Sequence, residues 1–350
     1  MRVVVAALGR PQALGERARI RTWELVLAAS GHEVLVVRLV EGSPRRPPTP
    51  RHVVSALSGH VVPETLRWSP RAALAAIEPF APDAVIAVTA RAHHPALAAA
   101  SARYVLDLVD LLSVSYRDRG HMMKGMRAAG YLGLARAHRS FERDRCIART
   151  VVAGHAEAQE LGATWIPLVR LPPDDVDRPE RPVDVVFFGN LGYPPNVEAV
   201  IQLGELWPAI LRSRPGTTVR VAGACPAPVV LELAARHGWE VAADFDRLHD
   251  VLGGARVAVV PLQHASGIQT KVLDAADHGV CQLLTPTAAR GLHPCAPFPV
   301  RPLGPPFVEY LLHLLDDAQV RSATCQDGRT YLERWHRPWR WVDAVDGLLR

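Results

Sequence analysis

Two stretches decide the reading of this chain: VDVVFFGNLGYPPNVEAV, residues 183–200, and VAVVPLQHASGIQTKVLDAADHGV, residues 257–280. Each opens as an apolar, β-branched run, passes through a loop containing glycine, and resumes with helical periodicity. In the first, Val183–Gly189 reads as a buried strand and Asn196–Arg212 as a helix. In the second, the strand is Val257–Pro261 and the helix Gly267–His278. Strand, loop and helix in that order form the repeat of a parallel sheet covered on both faces.

Both loops invite an anion. Gly189 permits close backbone approach, and Asn190 follows it directly. At Gly267 a helix begins, so the N–H groups of Ile268, Gln269 and Thr270 are expected to point outward with partial positive charge. Lys271 adds a full charge one turn in. Asp274 lies two turns after Gly267 on a similar face, where a carboxylate accepts two hydrogen bonds from a ribose diol. A plainer reading stands beside each. The first loop is also an ordinary strand–helix turn with Asn196 as N-cap. Lys271 and Asp274 also fit a solvated helical pair.

The same alternation runs through the rest of the chain. Val3–Leu8 is a strand, Gly9–Arg17 a loop, Ile20–Ala29 a helix and Glu33–Leu39 a strand. Asp83–Val88 and Tyr104–Val109 are further buried strands, and Ser43–Arg51 is a loop. Ala128–Ala148 is a long helix before strand Thr150–Ala153. Pro172-Pro173-Asp174-Asp175, with Pro179 and Pro182, reads as an extended linker. The alternation restarts after it, with strands at Thr218–Ala222, Glu240–Ala242 and Cys281–Thr285. The fold class is therefore α/β, with two Rossmann-like domains expected to face a cleft. The first covers 1–172, the second 173–326, and a helical tail, 327–350, packs back towards the first. Trp335, Trp339 and Trp341 in that tail read as packing residues.

Composition bounds the function. The 350 residues are 49% hydrophobic and 21% charged, which is globular composition with room for two cores. No apolar run reaches the ~18–20 residues of a membrane helix. The N-terminus reads as a first strand and not as a leader peptide. The five cysteines are widely spaced and form no CxxC pair, so neither a disulfide framework nor a zinc site is expected, and a cytoplasmic location fits. Net charge is +5, a mild surplus that does not call for nucleic acid. Much of it falls in Tyr116–Arg149, which is rich in arginine. That stretch is either a solvated helical face or a surface for acidic lipid headgroups or a phosphorylated acceptor. Few aromatics interleave with it, so a single-strand nucleic-acid platform is not expected. Lysine occurs only at Lys124 and Lys271, and asparagine only at Asn190 and Asn196. Residues retained against such a skew draw attention to the two loops already selected.

Taken together, the two stretches resemble the C-terminal donor domain of glycosyltransferase family 4, also called group 1. FFGNLGYPPNVEAV is similar to that family's opening strand and loop, in the branch reading tyrosine–proline–proline–asparagine. VRVAGACP resembles the next strand and its glycine, Gly223. The second stretch resembles the donor-site helix, in the branch reading glycine–isoleucine–glutamine and then lysine. In the first half, RIRTWELVLAASGHEVLVV and YVLDLVDLLSVSYRDR are similar to the family more loosely.

The resemblance implies the GT-B fold and retaining transfer of a sugar from a nucleotide-sugar (UDP, GDP or dTDP) to a hydroxyl acceptor. It implies no metal and no cofactor. Lys271, Asp274 and Asp110 are the implied catalytic residues. Gly15, Gly189, Asn190, Gly223, Phe245, Ser266, Gly267, Ile268, Gln269 and Thr270 are the implied donor-binding ones. Gly15 would stand in an N-terminal glycine loop facing the donor, and His94 and Arg117 are candidates for the acceptor. The family's two motif glutamates are Ser266 and Asp274 here. Its histidine before Asp110 is Val109, and its basic pair after the first C-terminal strand is absent. Lys271 is thus expected to be the main charge facing the phosphates. A sugar-nucleotide epimerase or hydrolase, and a non-catalytic binding partner, are the alternatives. The epimerase or hydrolase is expected to carry clustered carboxylates that the motif segments lack.

Overall fold

The computed structural model describes residues 1–8, 14–39, 62, 64, 68–143, 149–173 and 183–350. The loop expected at Ser43–Arg51, most of the proline-rich linker, and residues 144–148 of the expected long helix lie outside these. The described chain divides into two compact units. One comprises Met1–Leu171, Ser266–Ile268 and Trp335–Arg350, the other Pro172–Ala265 and Gln269–Arg334. The C-terminal segment thus joins the first unit from Trp335, not from Asp327.

The first unit holds a parallel sheet of β1 (Arg2–Ala7), β2 (Glu33–Arg38), β3 (Ala84–Val88), β4 (Arg103–Val109), β5 (Thr150–Val152) and β6 (Thr164–Trp165), ordered β2-β1-β3-β4-β5-β6. Side chains alternate between faces, so β1 feeds two cores. Val4 and Ala6 join Leu106, Tyr116 and Phe141 on one side. Val3, Val5 and Ala7 join Trp23, Leu27, Trp341 and Val345 on the other.

A buried ion pair ties this second core together. Arg19, on the helix Leu14–Ala29, donates Nε–H to Asp107 Oδ2 on β4, and both side chains are fully buried. Arg19 Nη1 also reaches the carbonyls of Ile166 (2.5 Å) and Pro167 (3.0 Å). Trp23 donates its indole N–H to the same Asp107 oxygen at 2.6 Å. The pair thereby joins a helix and a strand end, and through Arg19 the segment after β6.

The second unit holds β7 (Val183–Phe188), β8 (Val219–Ala222), β9 (Glu240–Ala242), β10 (Ala255–Val260) and β11 (Cys281–Leu284), all parallel, ordered β11-β10-β7-β8-β9. Strand order reverses between β10 and β7. In open α/β sheets that reversal opens a crevice at the carboxyl ends of the two strands. The loops that leave β7 and β10 are the two on which the sequence reading rests.

Helix starts near the candidate site residues differ from expectation. The first helix begins at Leu14, so Gly15 is helical and not part of a loop. Burial of Glu16, Arg19 and Trp23 carries the helical face a turn further back. The helix after β7 begins at Pro194, where proline suits the first turn, so Asn196 is inside it and is not the N-cap. The helix after β10 begins at Thr270, three residues later than Gly267, because Gly267 has φ +61° and cannot continue a helix.

Replacing Asp107 by alanine should leave Arg19 charged and unpaired in the core. The expected cost is about 3–5 kcal/mol of unfolding free energy. Chemical denaturation checks it, and a variant as stable as the parent would show that the pair does not tie the unit.

Candidate functional site

In the second unit the site is built on two glycines. Gly189 ends β7 and Gly223 ends β8, each with φ +148°. A Cβ on Gly223 would fall 1.6 Å from the Gly189 carbonyl oxygen, so no other residue fits there. The two backbones lie side by side, with Gly189 N–H donating to Ala222 O at 2.9 Å and Gly223 N–H to Ala242 O at 3.0 Å.

Polar side chains converge on Gly189. Its hypothetical Cβ would lie 2.9 Å from Asn196 Nδ2 and 3.1 Å from Lys271 Nζ. Asn196 is buried and fully engaged. Its amide nitrogen donates to the Asn190 carbonyl at 2.9 Å, and its oxygen accepts from Lys271 Nζ at 2.7 Å. The Asn190 side chain in turn accepts from Gly192 N–H at 2.9 Å and shapes the loop. The two asparagines and one of the two lysines of the chain therefore form a single chain of hydrogen bonds.

Lys271 is only 8% exposed, and its ammonium stands 4.5 Å above the Phe187 ring. Burial pulls its pKa down to about 7, and the nearby Asp274 carboxylate offsets part of that effect. The plain reading of a solvated helical pair therefore does not hold for Lys271, which is buried. It lies in the first turn of the helix Thr270–Asp277, where the opening N–H groups have no intrahelical acceptor. Asp274 is half-buried on the same helix. Phe245 packs against the apolar cluster of Val186, Phe188 and Ala222.

Ser266 and Gly267 belong to the first unit, and there they meet Asp110. Ser266 Oγ donates to Asp110 Oδ2 at 2.9 Å and lies 2.6 Å from Ser115 Oγ. Gly267 N–H donates to Glu157 Oε1 at 3.1 Å, and a Cβ there would come within 2.7 Å of the Asp110 Cβ. That amide is already taken by a carboxylate. Burial pushes the Asp110 pKa up, and the Ser266 hydroxyl opposes the shift.

Asp110 is aimed by a tight turn. Val109 has φ +65°, rare for a β-branched residue, and Asp110 N–H closes back on Leu108 O at 2.7 Å. Asp107 Oδ1 steadies the turn by accepting from Val109 N–H at 2.9 Å. Thr89, at the end of neighbouring β3, also has a positive φ of 77°. Such backbone strain gathers at functional positions.

Other expected residues are engaged differently. Gly15 is exposed, and a Cβ there would meet nothing within 4 Å, so close backbone approach does not explain it. His94 is an N-cap, accepting from Ala96 N–H at 3.1 Å, and its ring lies 5.3 Å from Trp68. Arg117 pairs with its neighbour Asp118.

The sequence reading missed a buried network in the first unit. Glu64 accepts from the Tyr116 hydroxyl (2.5 Å) and Arg91 Nε (3.4 Å), with His138 Nε2 at 2.9 Å. Burial alone would raise its pKa, but His138, Tyr116 and Arg91 more than offset this and hold it at about 2. Glu157 and Ser115 were missed as well. These residues are far apart in the chain, and no local spacing marks them. Among the described residues, no group of three or more His, Cys, Asp or Glu is placed to hold a metal ion. No described helix is long and apolar enough to cross a membrane.

No known family profile matches the sequence, and no curated protein does. Solved structures do match. A sucrose-phosphate synthase from Thermosynechococcus elongatus aligns with a TM-score of 0.68 at 13% identity, covering 100% of this chain and 98% of that one. A glycosyltransferase from Rickettsia africae aligns with a TM-score of 0.64 at 10% identity, over 99% and 97%. HepE from Anabaena, in complex with UDP and glucose, aligns with a TM-score of 0.62 at 11% identity, over 99% and 98%. At such identities the likeness establishes the fold alone: α/β, with two Rossmann-like units of parallel sheet, the GT-B fold of these solved structures.

Proposed function

We propose that this chain is a glycosyltransferase that moves a sugar from a nucleotide-sugar to a hydroxyl acceptor, with retention, in the manner of glycosyltransferase family 4. The observation that carries the reading is the convergence of Gly189, Asn190, Asn196 and Lys271 beside the start of the helix Thr270–Asp277. It lies at the strand-order reversal of the second unit. Glycine backbone, helix amides and one lysine make a seat for a diphosphate. The likeness to HepE, solved with UDP and glucose, supports the same class of donor.

In this reading Thr270 and Lys271 N–H groups and the Lys271 ammonium stabilise the charge that develops on the departing diphosphate. Asp274 holds the ribose hydroxyls. The departing phosphate takes the proton of the acceptor hydroxyl, so no side chain is needed as base and no resident metal is invoked.

Incubation with UDP-, GDP- and dTDP-sugars, with and without hydroxyl acceptors, tests the reading. Acceptor-dependent consumption of donor is expected. Consumption of donor alone at the same rate would replace transfer by hydrolysis or epimerisation, and binding without turnover would leave a binding protein.

Lys271→Ala is expected to weaken nucleoside-diphosphate binding by about 10–100-fold, the range of a charge-assisted hydrogen bond. Titration calorimetry reads it, with the melting temperature of the variant measured alongside. Unchanged affinity in a folded variant would remove Lys271 from the donor site.

Proton linkage gives a second check. The free ammonium titrates near pH 7, and a bound diphosphate must raise that pKa. Affinity for a sugar nucleotide is therefore full below the free value and declines as pH rises above it, until the bound value is passed. Binding near pH 8 should take up a proton, seen as a heat that depends on the ionisation enthalpy of the buffer. Uptake absent in the parent, or retained in Lys271→Ala, would contradict the assignment.

A further inference from the structure

A second feature of the first unit lies apart from these residues. The helices Leu112–Met122 and Gly125–Glu142 follow one another, joined by a short turn at Met123–Lys124. Val114, Arg117 and His121 recur at three- and four-residue spacing along the first, and Leu132, Arg136 and Arg139 along the second. The two stripes line a cavity of about 360 Å³, together with the acid Glu160.

The lining is amphiphilic. Val114 is buried and Leu132 half-buried, whereas Arg136 and Arg139 are exposed. Among the described residues neither Arg136 nor Arg139 has an ion-pair or hydrogen-bond partner, and Arg117 is engaged only by the adjacent Asp118. Three guanidinium groups share the cavity with a single lining carboxylate, Glu160, and leave a net positive charge that an anion can meet. A neutral sugar would not need them. An anion with an apolar extension would use both the arginines and the apolar floor.

The turn beyond His121 points to where that anion comes from. Met126 is 93% exposed and Met123 39%, with exposed Lys124 and Arg127 among them. Exposed thioethers interleaved with cations suit a bilayer interface, where apolar groups sit below the headgroups and cations meet the phosphates. We propose that this helical pair docks on an anionic membrane, with a lipid phosphate seated among Arg117, Arg136 and Arg139 and with Met123 and Met126 among the acyl chains. The proposal does not depend on the transferase reading, since none of these residues belongs to the donor site.

Flotation of the full chain with vesicles tests it. Binding is expected to vesicles of two parts phosphatidylcholine and one part phosphatidylglycerol, and not to phosphatidylcholine alone. Added salt should release it. Arg136→Glu with Arg139→Glu should weaken it about tenfold or more. Met126→Ser, at a site too exposed to affect folding, should weaken it severalfold. Melting curves of the variants should match the parent. Failure of the parent to bind the mixed vesicles, or binding unaltered by the double charge reversal, would overturn the proposal. Protection of the groove by soluble hexyl phosphate without vesicle binding would overturn it too, and would assign the groove to a soluble phosphorylated ligand.

Discussion

A parallel strand buried on both faces must end somewhere, and its last backbone groups must then find partners away from water. Much of this molecule follows from how that constraint is met. At the end of β7 and β8 the answer is two glycines whose backbones lie side by side, close enough that a single Cβ on Gly223 would collide with the Gly189 carbonyl. At the end of β4 it is Asp107, which caps the Val109 amide while holding Arg19 and Trp23. The strand ends are thus where backbone and side-chain polar groups gather.

The candidate donor site shows the electrostatic side of that constraint. Lys271 is held under the loop by Asn196 and over the Phe187 ring, so its charge is desolvated before any ligand arrives. Burial makes the ammonium easier to deprotonate and strengthens the field of its charged form, because less water screens it. A site poor in fixed cations gains from this. Under the proposed donor reading, one lysine with a lowered pKa, beside helix N–H groups, is the group that answers a diphosphate. Burial likewise favours the neutral form of Asp110, which moves its pKa up where that of Lys271 moves down, and one serine hydroxyl opposes the shift.

Legibility differed between fold and site. The alternation of apolar runs and helical periodicity was enough for two Rossmann-like units, because buried parallel strands leave few polar interruptions. Gly189, Asn190 and Lys271 were legible because glycine, asparagine and lysine stood out in a sequence poor in the latter two. Asn196 was noticed but read as a cap, since its inward hydrogen bonds to Asn190 and Lys271 leave no local trace. Gly15 misled, because a glycine before a helix looks like a loop. Burial of Glu16, Arg19 and Trp23 made it the first turn of that helix.

The sequence by itself determined the order of strands and helices, the fold class and the two loops of the candidate site, because periodicity and glycine placement are local properties. Only the tertiary structure decided that Lys271 is buried, that Asp107 binds Arg19, that Glu157 occupies the Gly267 amide and that Glu64 gathers His138, Tyr116 and Arg91. Each of these joins residues distant in the chain. Desolvation and pairing belong to the folded surroundings and not to any stretch of sequence.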